Sequence, residues 1–154
     1  MFFSTSISPY LYLFSKVEAL GLLSGCRPAK SSLTNITLYS TCEHHLLPIV
    51  GKAHVAYISN GTVVGLSKMN RLVDYFAKRP QVQERLTLQV VKSLQEVLNT
   101  DDVACVIDAK HLCVNARGIR DIDSSTVTAE FGGAFKNPDV KKEFLGYLNL
   151  DTSL

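Results

Sequence analysis

The sequence predicts an α+β fold, an antiparallel sheet with a pair of helices packed on one face. Three observations carry this. Apolar and polar side chains alternate over 36–41 and 52–59, the two-residue period of half-buried strands. Apolar residues then recur at helical spacing between 66 and 98, broken only near Pro80. A β-branched run follows over 103–114.

Taken in order, 36–41 and 52–59 form the first two strands, and Asn60-Gly61 marks a hairpin turn leading into Val63-Val64. Ser67 is placed to cap a helix beginning near Lys68, whose apolar face carries Leu66, Met69, Leu72, Val73 and Phe76. Pro80 stops that helix and is suited to the first turn of the next. The second helix aligns Val82, Leu86, Val90, Leu94, Val97 and Leu98, and ends at 99–102. Strands over 103–114 and 126–131 follow, the latter closed by Gly132-Gly133, and Asn137-Pro138 opens a last helix through Leu148. No short-period repeat or low-complexity tract interrupts this order.

Residues 1–34 read differently and are expected to form an atypical leader, helical or poorly ordered, ahead of a catalytic domain over 35–154. Leu23-Ser24-Gly25-Cys26 matches a lipid-attachment box, but the charged and then apolar context of a signal peptide is missing, with Lys16 and Glu18 inside the would-be apolar stretch.

The 154 residues suit one domain with a real core, and 46% hydrophobic with 19% charged residues is ordinary globular composition. A net charge of +2 gives no argument for nucleic acid, and no apolar run reaches membrane-spanning length. Four cysteines are too few for a disulfide scaffold; beside histidines they point to metal binding in a reducing compartment, hence a cytoplasmic protein.

The metal-binding signal lies in Cys42-Glu43-His44-His45 and His111-Leu112-Cys113. One helical turn puts Cys42 and His45 on one side, and a strand puts His111 and Cys113 on one face. Three of these four groups can hold one Zn²⁺ and leave a position for water, whereas a purely structural zinc normally takes four protein ligands. His44 and His111 are spare imidazoles suited to acid–base work. Cys105, between Ala104 and Val106, reads as packing, and His54 as an ordinary surface or core residue.

A second group is suited to anions. Ser67, Lys68 and Arg71 sit at a helix start, and Arg117 follows the His111-Leu112-Cys113 segment. Glu84 can accept both N1–H and the 2-amino N–H of guanine, with Gln83 as a neighbouring amide.

Together these segments resemble the type I GTP cyclohydrolase family. The resemblance rests on Ser40-Thr41-Cys42-Glu43-His44-His45, Gly65-Leu66-Ser67-Lys68-Met69-Asn70-Arg71, the stretch Arg79-Pro80-Gln81-Val82-Gln83-Glu84-Arg85-Leu86-Thr87, and His111-Leu112-Cys113-Val114 followed by Ala116-Arg117-Gly118-Ile119-Arg120-Asp121. It covers about Asn35 to Leu148, in family order. It implies a tunnel fold, in which sheets of several subunits join into a barrel, assembled as pentamers or decamers with active sites between subunits. It implies Cys42, His45 and Cys113 as zinc ligands and His44 and His111 as catalytic histidines. It implies Gln83 and Glu84 as guanine contacts, and Ser67, Lys68, Arg71 and Arg117 as triphosphate contacts. The implied reaction opens GTP at C8, releases formate and yields 7,8-dihydroneopterin triphosphate, the first step of tetrahydrofolate and pterin biosynthesis. The departure is upstream, where residues 1–34 do not match the family's longer helical region.

Two rivals stand beside it. A nitrile-reducing tunnel-fold relative needs one activated Cys and no zinc triad, which the second Cys argues against. A non-catalytic GTP-binding or oligomer-capping protein is the alternative raised by the altered N-terminus.

Overall fold

The computed structural model describes residues 22–150, so the leader expected over 1–34 lies largely outside the described residues. Five strands form the main sheet. These are β2 (Lys30–Cys42), β3 (Pro48–Ile58), β5 (Pro80–Gln81), β6 (Val103–His111) and β7 (Thr126–Phe131), in the order β5-β2-β3-β6-β7. All pairings are antiparallel except β2 with β5, so the sheet is mixed rather than wholly antiparallel. A separate two-stranded pairing joins β1 (Leu23–Ser24) to β4 (Thr62–Val63).

The alternation in β2 sets its two faces. Ile36, Leu38, Ser40 and Cys42 are buried, while Thr37 and Tyr39 face outward. β2 begins at Lys30, upstream of the alternating stretch, and carries a bulge between Leu33 and Ile36. The Asn60-Gly61 turn is present, with Gly61 at φ +85°, but β4 does not return along β3. Both sides of β3 are already paired, to β2 and β6, so β4 pairs with β1 instead.

Helices α1 (Leu66–Ala77) and α2 (Gln83–Leu98) cover the inner face of the sheet. α1 buries Met69, Leu72, Val73, Phe76 and Ala77, a stripe at i, i+3, i+4, i+7 and i+8. Its cap position is Gly65, not Ser67, which lies inside the first turn; no side chain caps this end. Pro80 does not open α2. It lies in the extended β5, where its missing N–H costs nothing at a sheet edge, and α2 starts after Val82. Gln81 fills the gap, with its Nε2 donating to the Phe76 carbonyl (2.8 Å) at the end of α1. α2 buries Leu86, Val90, Leu94 and Leu98 and ends on Asn99 in the left-handed region.

β6 stops at His111, and Leu112–Asn115 forms a one-turn helix, α3, rather than continuing the strand expected through Val114. After β7 come a 3₁₀ turn (Gly133–Lys136) and α4 (Pro138–Tyr147), capped by the Asn137 side chain on the Asp139 N–H. Phe135 and Phe144 pack edge-to-face over Ala56, Ala104 and Val106, covering one end of the outer sheet face. Among the described residues, no helix is long and apolar enough to cross a membrane.

Candidate active site

The end of β2 is closed by a tight turn. The Leu46 N–H donates to the Cys42 carbonyl and the Cys42 N–H to the Leu47 carbonyl, both at 2.8 Å. The first of these is an i to i+4 bond, a single turn of helical geometry, and it carries His45 back over Cys42. Cys42 Sγ lies 3.8 Å from His45 Nδ1. Cys113 reaches the same point from the first turn of α3, not from a shared strand face with His111. Candidate ligand atoms of Cys42, His45 and Cys113 all lie within 4.8 Å of one another, and the group could hold a metal ion.

The donor chemistry fits such an ion. Two thiols and an imidazole are soft to borderline donors, and a tetrahedral zinc with ordinary bond lengths would set an S···N edge of about 3.6 Å. Cys42 is buried, Cys113 half-buried and His45 exposed, so the group sits at the surface end of the core. Burial first, then the hydrogen bond and charge of Cys42, push the Cys113 thiol up, with Arg117 pulling it back. A cation between the sulfurs would reverse that balance.

His111, the last residue of β6, pairs in register with Ile49 of β3. Its Nε2 lies 2.7 Å from Gln83 Oε1. Burial lowers its pKa, opposed by the negative charge of Glu84. Glu84 is exposed beside the buried Gln83 at the start of α2. His44 is exposed, its ring 6.1 Å from that of His45. Cys42, His44, His45, Gln83, Glu84, His111, Cys113 and Arg117 thus gather at one end of the sheet.

Ser67, Lys68 and Arg71 are not part of that gathering. Arg71 lines a different cleft of about 520 Å³, with Asn70, Asp74 and residues 33–37 of β2. Thr37 lies about 17 Å of strand from Cys42.

Three supports were missed by sequence reasoning. Arg85 forms an ion pair with Glu43 and donates to Gln81 Oε1 (3.1 Å) and the Pro80 carbonyl (3.3 Å), bracing the turn that carries His45 against α2. Asn115 is buried, and its amide donates to the Asp121 and Ser124 carbonyls, gathering the loop that carries Arg117. Thr87 and Thr128 lie behind Gln83. Only the Glu43–Arg85 charge complementarity offered a signal, and spacing gave no reason to join two residues so far apart in the chain.

The sequence model of the GTP cyclohydrolase I family matches residues 30–149. The chain is 75% identical over 118 residues to GTP cyclohydrolase 1 of Flavobacterium johnsoniae, covering 77% of this chain and 53% of that relative. It is 58% identical over 115 residues to the Aeromonas salmonicida protein of the same name, covering 74% and 53%. It is 59% identical over 111 residues to that of Vibrio vulnificus, covering 71% and 51%. The chain spans about half the length of these curated relatives. A match running from the first residue of β2 past the end of α4 embraces the whole main sheet, both helix layers and every site residue, and the chain therefore belongs to the GTP cyclohydrolase I family.

Proposed function

We propose that the chain carries the catalytic region of a zinc-dependent GTP cyclohydrolase I. The convergence of Cys42, His45 and Cys113 from two separate segments, with His44 and His111 left over beside them, is the observation that supports this reading. Zinc held by those three residues would supply a Lewis acid and a water acidified toward a pKa of about 7. Four free cysteines, two of them ligands, suit a reducing, cytoplasmic setting.

Water adds at C8 of GTP and opens the imidazole ring to a formamide, and a second water hydrolyses the formamide to formate and a free amine. The ribose then opens and rearranges to a ketone, which condenses with the freed amine and loses one water, giving 7,8-dihydroneopterin triphosphate. His44 and His111 move protons at the purine and ribose. The Glu84 carboxylate accepts from N1–H and the 2-amino group of guanine, with Gln83 beside it. Ser67, Lys68, Arg71 and Arg117 hold the triphosphate.

Because Ser67, Lys68 and Arg71 lie away from the three metal ligands within one chain, the complete site draws them from a neighbouring copy. Homologous sheets would then join into a barrel of five chains, singly or stacked as ten. A non-catalytic GTP-binding or capping role is disfavoured by the retention of all three ligands together with both free imidazoles.

Zinc-loaded protein incubated with GTP, then oxidised, is expected to yield a fluorescent pterin and formate. Cys113→Ser is expected to lose both metal, by elemental analysis, and turnover. Full zinc occupancy in that variant would remove Cys113 from the site, and absence of pterin from the zinc-loaded parent chain would overturn the activity.

A further inference from the structure

We propose that Gln83 is a positioning residue that fixes the tautomer of His111, holding its proton on Nε2 and leaving Nδ1 as the free acceptor. The inference rests on the reading of His111 as an acid–base group and assigns Gln83 a role other than side-chain contact with the purine.

Proton counting carries it. Gln83 is the first residue of α2 and only 2% exposed. Its Nε2 lies 2.8 Å from the Thr126 carbonyl, 3.1 Å from the Ile107 carbonyl and 3.2 Å from Thr128 Oγ1. Backbone carbonyls only accept, so the amide nitrogen must face them; a flipped amide would set its oxygen against two others. Oε1 therefore faces His111 Nε2 at 2.7 Å, and as an acceptor it requires a proton there. A neutral imidazole has one N–H, so Nδ1 keeps its lone pair.

The groups behind the amide close the count. Thr87 Oγ1 donates to the Gln83 carbonyl (2.9 Å), which uses its only proton. The 2.7 Å contact between Thr87 Oγ1 and Thr128 Oγ1 is then donated by Thr128, whose lone pairs stay open to the Gln83 amide. Every donor in the chain Thr128, Gln83, His111 thus has one direction. β6, β7 and α2 each contribute to this lock, so turning Gln83 toward a ligand would break its hydrogen bonds to the Ile107 and Thr126 carbonyls. Both amide N–H groups are committed, which leaves guanine recognition by side chain to the exposed Glu84.

The test is solid-state ¹⁵N NMR of the zinc-loaded full chain labelled at histidine, with the His111 signals identified by their loss in His111→Ala. The chain has only four histidines, so the spectrum is tractable. His111 is expected to be protonated at Nε2 in the parent chain, and to redistribute its proton in Gln83→Met. Kinetically, Gln83→Met is expected to lower kcat on the order of 10–100-fold, the usual cost of losing an orienting partner. KM for GTP and discrimination against inosine triphosphate, which lacks the 2-amino group, are expected to hold. An Nδ1–H tautomer in the parent chain would overturn the proposal. So would a Gln83→Met variant with unchanged kcat and lost discrimination, which would make Gln83 a base reader. The tautomer measurement needs no turnover, only the parent chain and the His111→Ala reference that identifies its signals, so a parent chain without cyclohydrolase activity would sink the proposed function and leave this question separately decided.

Discussion

His54 ties a strained backbone position to the sheet. Asn35 sits at φ +58° within the bulge of β2, and its N–H donates to His54 Nδ1 at 3.3 Å. Only neutral imidazole can accept there. Burial and then the charge of Lys52 lower the His54 pKa, while Asp108 opposes them. The sign follows from proton binding: below about pH 6.5 the unfolded chain takes up a proton that the folded His54 resists. Its contribution is therefore complete above that pH and is lost as pH falls through the lower folded value. His54→Gln is expected to show a flatter rise in urea-unfolding stability between pH 5 and 7 than the parent chain; parallel curves would exclude the role. At this scale the sequence was informative where chemistry is tied to short spacing. Cys42 and His45 are three apart, and so were legible, as was Cys105 as packing, with its thiol pushed up to about 12 by burial. The Asn35 contact to His54 and the Gln83 contact to His111 depend on strand register and helix docking, which leave no local pattern.

Gly51 shows what the strands demand of each other. It pairs in register with Ala109, and a Cβ at this position would overlap the Asp108 carbonyl and the Ala109 backbone. These atoms are the backbone of the neighbouring strand β6 and the Cβ attached to it, which cannot swing away as the end of a flexible side chain could. Gly51→Ala is expected to cost about 3 kcal/mol, the upper end for overpacking, read from chemical unfolding. It should also weaken metal retention, because β3 sets the register of Ile49 against His111, two residues from Cys113. A variant as stable as the parent would refute the crowding. Helix and strand existence was legible from periodicity, since the apolar stripes of α1 and α2 repeat at a single helical spacing. Their ends were less so. Pro80 was compatible with a helix start by local rules, yet the Thr41–Pro80 and Cys42–Gln81 pairing draws it into the sheet. The run through Val114 favoured strand, but buried Asn115 gathers the following loop and ends β6 at His111.

For the whole molecule, the proposed functional groups fall at two places. α1 carries Lys68 about 12 Å along the helix axis from Phe76, whose carbonyl Gln81 binds beside Cys42. The cations at the start of α1 therefore lie toward the other end of β2 from Cys42, the first of the candidate metal ligands. No rotamer change spans that distance, which accords with the proposal that the complete site combines two chains. The surface gives the same argument independently. Tyr39 and Val50 are register partners on the outer sheet face, at 68% and 37% exposure, and Val127 on β7 is 62% exposed. α4 covers only the far end of that face. β7 is an edge strand, and β5 pairs with β2 only at Thr41 and Cys42, so most of the outer edge of β2 has no strand partner among the described residues. Open strand edges, together with exposed Tyr39, Val50 and Val127 set among Lys52, Asp108 and Lys110 on the same face, favour pairing with further copies over exposure to water. Light scattering of the zinc-loaded chain is expected to give a pentamer or a decamer, with GTP turnover per chain falling on dilution as the assembly dissociates. If that face is shared between copies, as proposed, Tyr39→Lys with Val127→Lys is expected to produce smaller species that still bind zinc but have lost at least ~10-fold in activity, because a neighbour's cations would no longer reach the site. A monomer with full activity at every concentration would overturn the shared site.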